Sequence, residues 1–138
     1  MDAKVTWKNG LSFTGVANSG FVVPMGTSVE HGGANDGSGP MELVLIALGG
    51  CTAFDVISIL KKKQQDVTAF EIRVHGDRAA EHPMVFTDIT LEYVVTGHNV
   101  DPVAVDRAIE LSEGKYCSVS AMLGKAANIT VKSTVLEA

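Results

Sequence analysis

Residues 39–60 read GPMELVLIALGGCTAFDVISIL, and the fold turns on them. Gly39 stands where a helix N-cap belongs and Pro40 at the first helical position, with Glu42 near the positive end of the dipole. Lys61, Lys62 and Lys63 follow at the negative end. The pattern predicts a helix over residues 40–63. Its stretch from Leu43 to Leu48 is apolar on every face, and a helix apolar all round is buried all round. Gly49 and Gly50 each cost such a helix roughly 1 kcal/mol relative to alanine, which close packing against another backbone would explain. One sheet covers one flank. Either a second helix or a second copy of the chain must cover the other, and a C2 homodimer is the favoured expectation.

On the N-terminal side, Val5 and Trp7 alternate with polar residues, as do Leu11 and Phe13, with Asn9-Gly10 between them. That is the strongest short hairpin signal. A second turn at Asn18-Ser19-Gly20 leads to Phe21-Val22-Val23, so a three-strand meander is expected, with Pro24 ending the last strand or marking an edge. Residues 31–39, HGGANDGSG, read as a loop. The Lys-Ser/Thr of a phosphate-binding loop is missing. On the C-terminal side, Phe70, Ile72 and Val74 alternate with Glu71, Arg73 and His75, and Val85, Ile89, Leu91, Tyr93 and Val95 alternate with Asp88, Thr90 and Glu92. Such alternation indicates an antiparallel sheet with one wet face. Asp101-Pro102 opens a second helix that Gly114 should end, a short helix runs from near Ser118 to Gly124, and a strand around Ile129–Val135 closes the chain. The order βββ-α-ββ-αα-β is that of an α+β domain with an antiparallel sheet, a long central helix and helices on one sheet face.

The chain has 138 residues, 46% of them apolar and 20% charged, which fits a single globular domain over residues 1–138. Its net charge of −5 argues against nucleic acid and anionic membranes as partners. The N-terminus lacks a basic segment followed by an apolar one, and Asp55 interrupts the most apolar stretch. Neither a secretory signal nor a membrane span is expected, and the cytoplasm is the default compartment. The four histidines show no metal-ligand spacing, and neither a metal nor a cofactor is expected.

Two cysteines, Cys51 and Cys117, are too few for a disulfide framework, and there is no CxxC. Cys51 lies in the apolar helix, with Asp55 one turn on. Cys117 precedes the short helix, whose free N–H groups would favour a thiolate, and Lys115 stands nearby to help. On physical grounds Cys117 is the expected lower-pKa thiol. The competing reading is two small apolar core residues. No GxSxG is present, and Ser118 and Ser120 read as helix caps.

Residues 39–60 resemble the first cysteine motif of the OsmC/Ohr family, and residues 111–132, LSEGKYCSVSAMLGKAANITVK, resemble the second. The likeness is nearest to the YhfA-like branch. It implies an OsmC-like fold and an intertwined homodimer whose long helices pack centrally, with active sites at the interface. It also implies that Cys51 is a peroxidatic thiol and Cys117 its resolving partner, reducing organic hydroperoxides through a sulfenic acid and a disulfide that an external dithiol reopens. A low-pKa Cys117 would then be a good leaving group. The family's activating Arg has no counterpart before Arg73, and its helix Glu aligns with Met41, leaving Glu42 as the candidate substitute. Val44, Leu48 and Phe54 are expected to line an apolar substrate pocket. The alternative is a non-catalytic module that binds a small apolar or acyl-like ligand at the interface. Acyl chemistry at Cys51 ranks last, because no His base is nearby.

Overall fold

The computed structural model describes residues 1–138, and its contacts fall into two compact units, Met1–Val44 and Leu45–Ala138. The first unit is the expected meander. Strands β1 (Ala3–Asn9), β2 (Ser12–Ala17) and β3 (Val22–Met25) pair antiparallel in that order. Gly10 takes the left-handed conformation in the first turn (φ 50°), and the Trp7 indole N–H donates to its carbonyl at 2.9 Å. Pro24 sits opposite Thr14 on the edge strand, where its missing N–H costs no ladder bond. The glycine-rich loop is folded rather than loose. It holds a short 3-10 turn, Val29–His31, and Ser12 Oγ donates to Asp36 Oδ2 at 2.6 Å. A side chain at Gly37 would stand 2.6 Å from the backbone of Met25 and Pro24. Every residue of β1 is exposed, including Val5 and Trp7.

Helix α1 (Pro40–Lys62) runs from the first unit into the second. The second unit continues with β4 (Asp66–Arg78), β5 (Phe86–His98), α2 (Pro102–Leu111), α3 (Ser118–Leu123) and β6 (Asn128–Glu137). Strand β5 supplies the core face: Phe86, Ile89, Leu91, Tyr93 and Val95 are buried in alternation, with Val105, Ala108 and Ile109 of α2. Asp101 caps α2, its carboxylate accepting from Val103 N–H at 3.0 Å.

Three sequence expectations need correction. There are two three-stranded sheets, β1-β2-β3 and β4-β5-β6, rather than one. The pairing of β5 with β6 is parallel, although β4–β5 is antiparallel as expected. The helices between β5 and β6 carry the chain back along the sheet, a crossover that alternation cannot reveal. Finally, α2 does not run to Gly114. It ends at Leu111 and passes into a π-helical turn, Ser112–Tyr116.

Helix α1 is long and apolar enough to cross a membrane by composition, yet it buries one stripe in the protein: Leu48, Gly49, Thr52, Val56 and Leu60. It is not buried all round. Ile46 is 61% and Phe54 79% exposed. Gly49 packs close, since a Cβ there would stand 3.0 Å from Val74 Cγ2, whereas a Cβ at Gly50 would meet nothing within 4 Å. The expected close packing is thus met at one glycine only, against a side chain.

Candidate functional site

The π turn positions the site. It ends at Cys117, which is both its C-cap and the N-cap of α3. Cys117 is 2% exposed, Cys51 on α1 is half-buried, and both are free thiols. The second unit brings the two near enough for Cys51 to help push up the Cys117 thiol.

Cys117 does receive the N–H expected of a helix start, from Ser120 at 3.3 Å. That single bond, at a helix of six residues, loses to its surroundings. Burial, then the neighbouring Cys51 and the Glu113 carboxylate, push the Cys117 thiol up from 9.0 to about 12. The expectation that Cys117 is the lower-pKa thiol and a good leaving group is therefore wrong. Lys115 gives no help either, because its ammonium lies 5.2 Å from the centre of the Tyr116 ring. Cys117 therefore holds its proton more tightly than a free thiol does.

Around the sulfurs runs a buried polar cluster that the sequence reading missed. Tyr93 Oη donates to Glu113 Oε1 at 3.1 Å and lies 2.7 Å from Thr52 Oγ1. Thr52 Oγ1 lies 2.7 Å from Ser112 Oγ, and Ser112 Oγ donates to Asp55 Oδ2 at 2.9 Å. On the other side of Glu113, Ser120 Oγ donates to Oε2. Thr52, Tyr93 and Ser112 are completely buried. Burial holds the Tyr93 phenol well above its ordinary value, the charge of Glu113 adds to this, and the Thr52 hydrogen bond opposes it. Asp55, one turn after Cys51 on α1, is the far end of this cluster.

One signal for the cluster was in the sequence. Thr52 and Asp55 interrupt an apolar helix one turn apart, and buried polar groups need partners. Glu113 carried no signal, because a helix running on to Gly114 would have left it on the surface. Ser120, read as a cap, instead bridges Glu113 and Cys117.

Glu42 is exposed in the first turn of α1 and belongs to the first unit. Leu48 is wholly buried in the core and cannot line a pocket. No Arg joins the cluster: Arg73 pairs with Glu71 and Glu92, Arg78 donates to the Met84 carbonyl, and Arg107 pairs with Glu110. No group of three or more His, Cys, Asp or Glu is placed to hold a metal ion.

A mixed α+β fold thus carries a half-buried and a buried free cysteine in its second unit. The chain belongs to the OsmC family: the family model described as OsmC-like protein matches residues 33–132. It is similar to Protein YhfA of Escherichia coli (strain K12), 44% identical over 138 residues and covering all of both chains. A hypothetical protein from Aquifex aeolicus shares the fold with a TM-score of 0.87 and 31% identity, over 99% of this chain and 96% of that one. An organic hydroperoxide resistance protein OsmC from Legionella pneumophila matches with a TM-score of 0.72 over 96% of this chain and 95% of that one. At 12% identity this is a likeness of fold.

Proposed function

We propose that this protein is a thiol-dependent reductase of organic hydroperoxides, working as a homodimer in the cytoplasm. One observation carries the reading: a half-buried Cys51 neighbours a buried Cys117 whose thiol is pushed up by that burial. The Cys51 thiolate attacks the peroxide, an S–O bond forms as the O–O bond breaks, and the leaving alkoxide takes up a proton to become the alcohol. Cys117 then attacks the Cys51 sulfenic acid, forming the disulfide and releasing water, and an external dithiol restores both thiols. Family membership and the hydroperoxide resistance proteins among the fold relatives support this chemistry. Titrating reduced protein with tert-butyl hydroperoxide should remove two thiols per peroxide. Consumption no faster than that of a Cys51→Ser variant would sink the idea.

The homodimer rests on the bare face of α1. Ile46, Gly50 and Phe54 follow one another at four-residue spacing, and they are uncovered or have nothing within reach. A second reading, a non-catalytic module for a small apolar or acyl-like ligand, is favoured by the absence of Arg from the cluster. Native mass spectrometry decides it: a carried ligand together with no peroxide turnover would favour the module.

A further inference from the structure

The buried cluster is one hydrogen short. Four oxygen–oxygen contacts link Glu113 Oε1, Tyr93 Oη, Thr52 Oγ1, Ser112 Oγ and Asp55 Oδ2. The three hydroxyls between the two carboxylates own three hydrogens. With both carboxylates ionised, Tyr93 donates to Glu113 and Ser112 to Asp55. Thr52 then has one hydrogen for two contacts of 2.7 Å. Turning the hydroxyls only moves the gap, because in every arrangement one contact has no hydrogen between its oxygens. Two lone-pair-bearing oxygens at that distance repel, and burial makes the unmade bond expensive. Adding one proton at either carboxylate fills all four contacts.

Cys117 is a proton source beside this gap. To attack an oxidised Cys51 it must lose the hydrogen on its sulfur. Ser120 ties it to the cluster, its N–H donating to Cys117 Sγ and its hydroxyl to Glu113 Oε2. Glu113 also lines a groove of about 390 Å³ with Asp106, Ile109 and Lys132, and Asp55 lines a second of about 330 Å³ with Ser58, Lys62 and Tyr116. Both ends of the chain therefore reach solvent.

We propose that Glu113 accepts the proton Cys117 releases when the disulfide closes, and that the Tyr93–Thr52–Ser112–Asp55 chain takes up that proton as its missing hydrogen. This rests on the reading that Cys51 and Cys117 bridge. In the step, the Cys117 S–H bond breaks and its proton passes to the Glu113 carboxylate. The sulfur electron pair forms the bond to Cys51 sulfur, and the group on Cys51 leaves with its own bonding pair. From a sulfenic acid that group is hydroxide, which regains a proton as water. From a mixed disulfide it is a thiolate, which needs none.

The test uses that second case and bypasses peroxide. One equivalent of Ellman's reagent loads Cys51 and releases a first thionitrobenzoate, and attack by Cys117 releases a second. In Glu113→Gln the second phase should slow at least tenfold while the first stays within twofold. Gln matches Glu in size and can keep the bonds to Ser120 and Tyr93, so a merely structural role would survive it. Tyr93→Phe leaves Glu113 in place and interrupts the chain, and should slow the second phase severalfold. A second phase at the wild-type rate in Glu113→Gln overturns the acceptor role, and one at that rate in Tyr93→Phe overturns the chain's part. A wild-type protein that never releases the second thionitrobenzoate overturns the bridge itself. Failure to consume peroxide, by contrast, counts only against the hydroperoxide reading.

Discussion

Cys117 and Tyr93 both hold their protons more tightly in the fold than in the unfolded chain, because burial disfavours their charged forms. Above the ordinary Cys value of 9.0 the unfolded chain has lost a thiol proton that the folded protein keeps, up to about 12. Folding stability from this residue is therefore complete below pH 9 and drains away as pH rises toward 12, with Tyr93 adding to the decline at its upper end. Urea unfolding between pH 8 and 11 should show stability falling, and Cys117→Ser should flatten that slope. The sequence pointed the other way for Cys117. A residue ahead of a helix start invites the dipole argument, but the burial that defeats it comes from how distant segments pack around Cys117, which no local pattern displays.

At the scale of elements, helix α1 and the π turn share the construction of the site. The helix itself was plain from Gly39-Pro40 and the three lysines, and it ends within a residue of expectation, at Lys62. What was hidden is which of its faces is covered, because a uniformly apolar helix has no periodicity to show it. Its buried stripe is marked by the residue that seemed an interruption, Thr52. Thr52→Val preserves the shape and deletes the central hydroxyl, and with it the buried hydrogen bond that Thr52 donates to Tyr93 or Ser112. A loss of about 2 kcal/mol is expected in urea titrations. The π turn escaped notice because nothing in Ser112–Tyr116 distinguishes it from the end of an ordinary helix. Yet the same five residues supply Ser112 and Glu113 and deliver Cys117 to the start of α3.

For the whole molecule, the uncovered face of α1 is the feature to account for. The α+β class and element order could be read from alternation and caps, whereas the parallel β5–β6 pairing and the second sheet depend on how distant segments meet. A homodimer seated on Ile46, Gly50 and Phe54 is expected to sediment at twice the 14.5 kDa chain mass. Phe54→Glu places a charge on that face without disturbing the protomer core, since Phe54 is 79% exposed. It should sediment as a monomer with unchanged circular dichroism. A variant that stays dimeric would place the contact elsewhere.

The three hydroxyls between Glu113 and Asp55 also have a direction. A hydrogen entering at Glu113 leaves all of them pointing toward Asp55, and one entering at Asp55 turns them all back. After a passage through to Asp55 the row faces the wrong way for another in the same sense until each hydroxyl rotates. A row used once in one sense must therefore be rewound before it can be used in that sense again.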